Sequence, residues 1–213
     1  ILQIVLNESL SVAPKLTNSH IAALSVIFLF KHTQNIGIIN LQTLGVEFDK
    51  YLFPFISMLS KNRVGFQHME FSGCGSIGLG KNSLEGILGR VYQGQFQKGF
   101  ESTEVANRNI SVGMDSRFFI PCLNDESKFQ VNANSKEILE KKFDAEGIIP
   151  NDKVKILELL DLGKVNDSEI KEKFYSLSPY MEEVFEIWNN SAMQSFSLTS
   201  LGIAIGHANI KRL

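Results

Sequence analysis

The stretch 21–30, IAALSVIFLF, places nine apolar residues around a single serine, with His20 and Lys31 at its two ends. A helix that crosses a bilayer needs roughly 20 such residues, so this run is too short to span one. A helix that is apolar on every side has to be covered on every side. The segment therefore predicts a helix at the centre of a protein core. Thr17 is placed to cap it, because its hydroxyl can accept one of the backbone N–H groups left unpaired at a helix start. The predicted helix runs from 18 to about 32.

The rest of the chain has to supply that cover. With 213 residues there is room for one large domain or two small ones. A hydrophobic share of 44% beside 21% charged residues suits an ordinary folded core and excludes disorder as a description of the whole. A net charge of −2 gives no broad positive field for nucleic acid. The 16 Phe far outnumber the 4 Tyr and single Trp, which favours buried packing over a wet stacking surface. Cys74 and Cys122 lack any CxxC spacing and read as free thiols in a reducing, cytoplasmic compartment. Asn-x-Ser triplets at Asn7, Asn109, Asn166 and Asn189 carry little meaning without a secretory signal, and none is visible. The chain opens on Ile1 rather than Met, which reads as the loss of an N-terminal portion.

Further helices are expected from capping and periodicity. A first one ends before Pro14, with Leu2, Val5 and Leu6 on one face. Another covers 46–59 and is kinked or split by Pro54. One follows Ser83. In the C-terminal part, Asn134 or Ser135 caps a helix, Pro150 starts another, and Asn166 with Glu169 forms a capping box. After Ser178-Pro179, Met181, Val184, Phe185 and Trp188 form a core-facing stripe, and Thr199 caps a last helix of about 200–211. Gly202 and Gly206 on that helix permit close approach of a neighbour. Strands are expected at 64–72, 118–120 and 195–198. The fold class predicted is mainly α with short β-hairpins, in two helical lobes. Residues 1–125 form a helical lobe with a glycine-rich hairpin. Residues 126–213 form a winged-helix-like lobe with a packing C-terminal helix, the boundary lying in the polar stretch 124–135.

One segment carries the appearance of chemistry. Residues 73–83 read GCGSIGLGKNS. Gly73, Gly75 and Gly78 match the spacing of a dinucleotide fingerprint, and Gly75, Gly80 and Lys81 match a P-loop up to its last position. Both motifs work by letting backbone N–H groups reach phosphate oxygens at a helix start. A P-loop, however, needs Ser or Thr directly after its lysine to hold Mg²⁺, and Asn82 stands there. Nucleotide folds also need several parallel strands alternating with helices. The segment is read first as a structural turn, and second as an anion contact through Gly73, Gly75, Gly78, Gly80 and Lys81. No cofactor is expected.

Nothing else points to catalysis. His20, His32, His68 and His207 lack metal-ligand spacing. His68 and Glu70 would share a strand face, but solvated neighbours explain them better than an acid–base pair. There is no GxSxG elbow. On a winged-helix reading, the candidate recognition helix after Asn166 balances Glu169 and Glu172 against Lys171 and Lys173, so DNA binding would be weak.

The segments HMEFSGCGSIGLG, SLEGIL, YQGQFQKGF and FSLTSLGIAIGHANIKR together resemble an uncharacterised bacterial protein family of unknown function. The resemblance implies a bacterial, cytoplasmic protein and a C-terminal fragment of longer members that carry an extra N-terminal region. It supplies no catalytic residues. The reading favoured by the sequence is a non-enzymatic protein-interaction or regulatory module, self-associating through its C-terminal helix. The alternatives are a nucleotide- or anion-binding protein using the glycine segment, and a weak DNA-binding winged-helix protein.

Overall fold

A computed structural model describes residues 2–33, 38, 40–133 and 135–211. In chain order the helices are α1 (Leu2–Val12), α2 (Asn18–His32), α3 (Leu41–Tyr51), α4 (Phe53–Ile56), α5 (Arg63–Phe71), α6 (Leu84–Val91), α7 (Thr103–Asn107), α8 (Lys136–Ala145), α9 (Pro150–Leu162), α10 (Asp167–Leu177), α11 (Met181–Asn189) and α12 (Ser200–Ile210). The strands are β1 (Gly75–Ile77), β2 (Phe119–Cys122), β3 (Asp125–Val131) and β4 (Phe196–Leu198). β1 pairs antiparallel with β4, and β2 with β3, in two two-stranded sheets. The protein is mainly α-helical with two small antiparallel β elements.

Local signals set most helix starts. The Thr17 hydroxyl accepts the His20 N–H at 3.3 Å. Asn166 and Glu169 exchange side-chain and backbone hydrogen bonds, each 2.9 Å long. The Thr199 hydroxyl accepts the Gly202 N–H at 3.2 Å. Pro54 divides α3 from α4, since its ring cannot continue the α3 hydrogen-bond ladder. Ser135 caps α8, whereas Asn134 lies outside the described residues, as does the Leu2 side chain.

Two expectations fail. Residues 64–72, read as a strand from a loose alternation, are mostly the helix α5: Asn62 caps it by accepting the Val64 N–H at 2.9 Å. Its buried side chains, Phe66 and Met69, are three apart, which is helical spacing. The polar stretch 124–135, given no element of its own by the sequence, is largely β3, held to β2 by a short turn.

The chain forms two compact units, residues 1–87 with 171–213, and residues 88–170. In the first unit α2 is the central element, with Ala22 to Phe28 and Phe30 buried; α12, α4, α5 and β4 pack on it, and α1 packs on α12. Phe30 meets the rings of Phe48 and Trp188 edge-on, with centroids 5.6 and 5.5 Å away. The core of the second unit joins Phe118, Phe119 and Val131 of the sheet region to Leu139 and Phe143 of α8 and Ile156, Leu159 and Leu160 of α9.

Candidate functional site

In the glycine segment Gly73 adopts φ +76°, a left-handed turn that glycine makes without a Cβ clash. The turn leads from α5 into β1, whose partner β4 lies near the other end of the sequence. A Cβ on Gly75 would stand 2.5 Å from the Ser197 carbonyl oxygen and inside the Phe196 ring, so this glycine serves strand packing. Five of the segment's backbone donors already have acceptors. The N–H groups of Gly73 and Cys74 bond the carbonyls of Glu70 and Met69, and those of Gly78 and Asn82 bond Ser195 and Gln194, all at 2.9–3.0 Å. The Ile77 N–H donates to the Glu70 carboxylate at 2.9 Å, so an internal anion takes that donor. Gly80 and Lys81 are exposed, with nothing within 4 Å of a Cβ built on Gly80. Helix α6 behind them is capped by the Ser83 hydroxyl, which accepts the Gly86 N–H at 3.2 Å.

Beside this strand pair, the sequence concealed an ammonium clasp. Lys31, in the last turn of α2, donates to the carbonyls of Met193, Gln194 and Phe196 at 2.9–3.3 Å. The ammonium also sits 5.3 Å from the centroid of the Trp188 ring, a cation–π placement. Burial lowers its pKa to about 8. The Trp188 indole N–H in turn donates to the Asn82 carbonyl at 2.9 Å. Lys31 thus anchors the chain entering β4, and Trp188 anchors the end of the glycine segment.

His20 and His68 also come together, 5.1 Å between ring centroids. His68 and Glu70 do not pair: both lie on α5 rather than on a strand, and Glu70 holds Ile77. The two histidines line a groove of about 570 Å³ formed by Lys15, the first turn of α2 and the first turns of α5. His20 Nδ1 accepts the Thr17 N–H at 3.3 Å, and His68 Nε2 lies 3.1 Å from the Lys15 carbonyl. Burial, and then the neighbouring His68, lower the His20 pKa. No sequence spacing announces this pair, because residues 48 positions apart meet only through packing of α2 and α5.

A second groove, about 380 Å³, runs between α1 and α12 and is lined mostly by apolar side chains, among them Leu6, Leu10, Ile21, Ala204 and Ala208. Leu6 and Leu10 are 51% and 76% exposed. The glycine pair of α12 faces inward instead. A Cβ on Gly206 would stand 2.7 Å from the Leu24 carbonyl oxygen, and one on Gly202 would overlap the Cys74 carbonyl. The close approach expected of these glycines is thus made within the chain. Among the described residues, no group of three or more His, Cys, Asp or Glu is arranged to hold a metal, and no helix is long and apolar enough to cross a membrane.

No curated protein and no solved structure matches the chain. The expected kinship with an uncharacterised bacterial family is corrected by the family match itself, which spans residues 1–213. A domain family of unknown function matches residues 1–213, and the chain belongs to that family.

Proposed function

We propose that the protein is a non-enzymatic interaction module that self-associates through the groove between α1 and α12. The observation that carries this reading is the pair Leu6 and Leu10, one helical turn apart and largely in solvent on the rim of an apolar groove. Exposed apolar side chains grouped around a concave surface mark association sites more often than isolated ones do. The C-terminal helix contributes through Ala204 and Ala208, not through its glycine face. A cytoplasmic setting suits the two buried free cysteines. A winged-helix form of residues 126–213, and weak DNA binding with it, has less support, because β4 finds its partner at 75–77, outside that interval.

Light scattering across a concentration series tests the proposal. A dimer mass that reverts to 23.8 kDa in the Leu6→Asp and Leu10→Asp variants is expected. A monomer mass for the unaltered protein at the highest concentration would overturn it.

A further inference from the structure

The groove beside His20 and His68 has a consistent chemistry. The ionisable side chains that line it are Lys15, His20 and His68, with no carboxylate among them. Hydrogen bonds fix where the imidazole protons are. The Thr17 N–H donates to His20 Nδ1, so that nitrogen is bare and the neutral ring carries its proton on Nε2. The Lys15 carbonyl facing His68 Nε2 can only accept, so Nε2 of His68 carries the proton and donates. His20 cannot become charged without giving up its bond from Thr17, in keeping with its lowered pKa.

The remaining polar lining adds donors. Among the described residues, the Lys15 ammonium and the Ser19 hydroxyl have no hydrogen-bond partner, and the Asn62 amide uses only its oxygen, on Val64. Gly65 belongs to the same design. Glycine inside a helix is less stable than alanine, yet here a Cβ would press on His20 Nε2 at 3.2 Å. The missing side chain leaves room for the His20 ring at the groove wall. Buried Phe66 and Met69 provide an apolar floor.

We propose that this groove binds a small phosphate monoester, its oxygens held by Lys15, Ser19, His20, Asn62 and His68 and its apolar body resting on Phe66 and Met69. Several donors around one concavity suit the three acceptor oxygens of a phosphate monoester better than the two of a carboxylate. The site is separate from the glycine segment and independent of self-association.

Imidazole proton resonances, followed by NMR during titration with inorganic phosphate and with phenyl phosphate, test the assignment. Sodium chloride at matched ionic strength is the control. The expected result is a saturable displacement of the His20 and His68 resonances with phosphate that chloride does not produce. Phenyl phosphate should bind about tenfold more tightly than phosphate, through the ring area it buries. The combined Lys15→Gln and Ser19→Ala variant should lose at least about tenfold in affinity, one to two charge-assisted hydrogen bonds' worth, with its thermal melt unchanged. Resonances that move no further than in chloride would overturn the proposal. So would binding that survives this variant and disappears in Lys81→Ala, which would move the site to the glycine segment.

Discussion

The carbonyl oxygen of Cys74 occupies the position that a side chain on Gly202 would need. The same carbonyl accepts the Thr199 N–H at 3.1 Å, while the Thr199 hydroxyl donates to the Gly73 carbonyl at 2.6 Å. The start of α12 is thereby fixed against the turn between α5 and β1. Gly202→Ala should destabilise the protein by about 3 kcal/mol, the upper range for overpacking a site that backbone cannot vacate. Urea denaturation measures this, and a change under about 0.5 kcal/mol would mean that α12 shifts freely.

The glycine segment separates structural glycines from solvent-facing ones. Gly75→Ala should cost about 2 kcal/mol, because its new methyl meets Phe196 and the Ser197 carbonyl. Gly80→Ala should stay within about 0.5 kcal/mol, having open space around it. Equal effects at the two positions, measured by thermal or urea melts, would contradict the packing of β1 on β4.

Lys31 makes Trp188 a reporter of its own charge. The protein has one tryptophan, and the ammonium lies over that ring. Its emission should titrate with a midpoint of about 8, and the titration should be absent in Lys31→Met. The same group gives stability a direction with pH. The folded pKa of about 8 lies below the unfolded value of roughly 10.4. Between those values the unfolded chain binds more protons, so stability rises with pH across that window. Below about 8 the contribution is flat and at its least favourable. The stability difference between the unaltered protein and Lys31→Met, taken at several pH values, isolates this contribution.

Cys74 and Cys122 are both buried, and burial raises the Cys74 pKa. Since the thiolate is the reactive form, a thiol reagent such as dithionitrobenzoate should label neither residue at an appreciable rate in the native protein and both after denaturation. Fast native labelling of Cys74 would show that the turn before β1 opens readily.

Caps and apolar stripes made much of this fold legible. Thr17, Asn166 with Glu169, and Thr199 each mark a helix start by a bond between residues three apart, which a sequence displays directly. The stripe Met181, Val184, Phe185 and Trp188 is buried as its spacing requires. Helix α5 resembles a strand in sequence because Val64, Phe66, His68 and Glu70 alternate superficially, although Asn62 and the pair Phe66 and Met69 carry the helical signal. The glycines at 73, 75 and 78 suggested a phosphate loop, since spacing reveals glycine without revealing what approaches it. Here the neighbour is a strand some 120 residues on. Lys31 with its three carbonyls, and His20 beside His68, arise from packing of distant segments, for which no local pattern exists.

The pairing of 75–77 with 196–198 also sets an order of events at the ribosome. The first 87 residues cannot complete their unit until residues 171–213 have emerged, because the innermost helix lacks its α12 neighbour until then. The intervening unit, 88–170, is contiguous and is synthesised whole before that closure. During translation the apolar run 21–30 therefore waits, uncovered on the side that α12 will take, making the nascent chain a substrate for chaperones that bind exposed apolar segments.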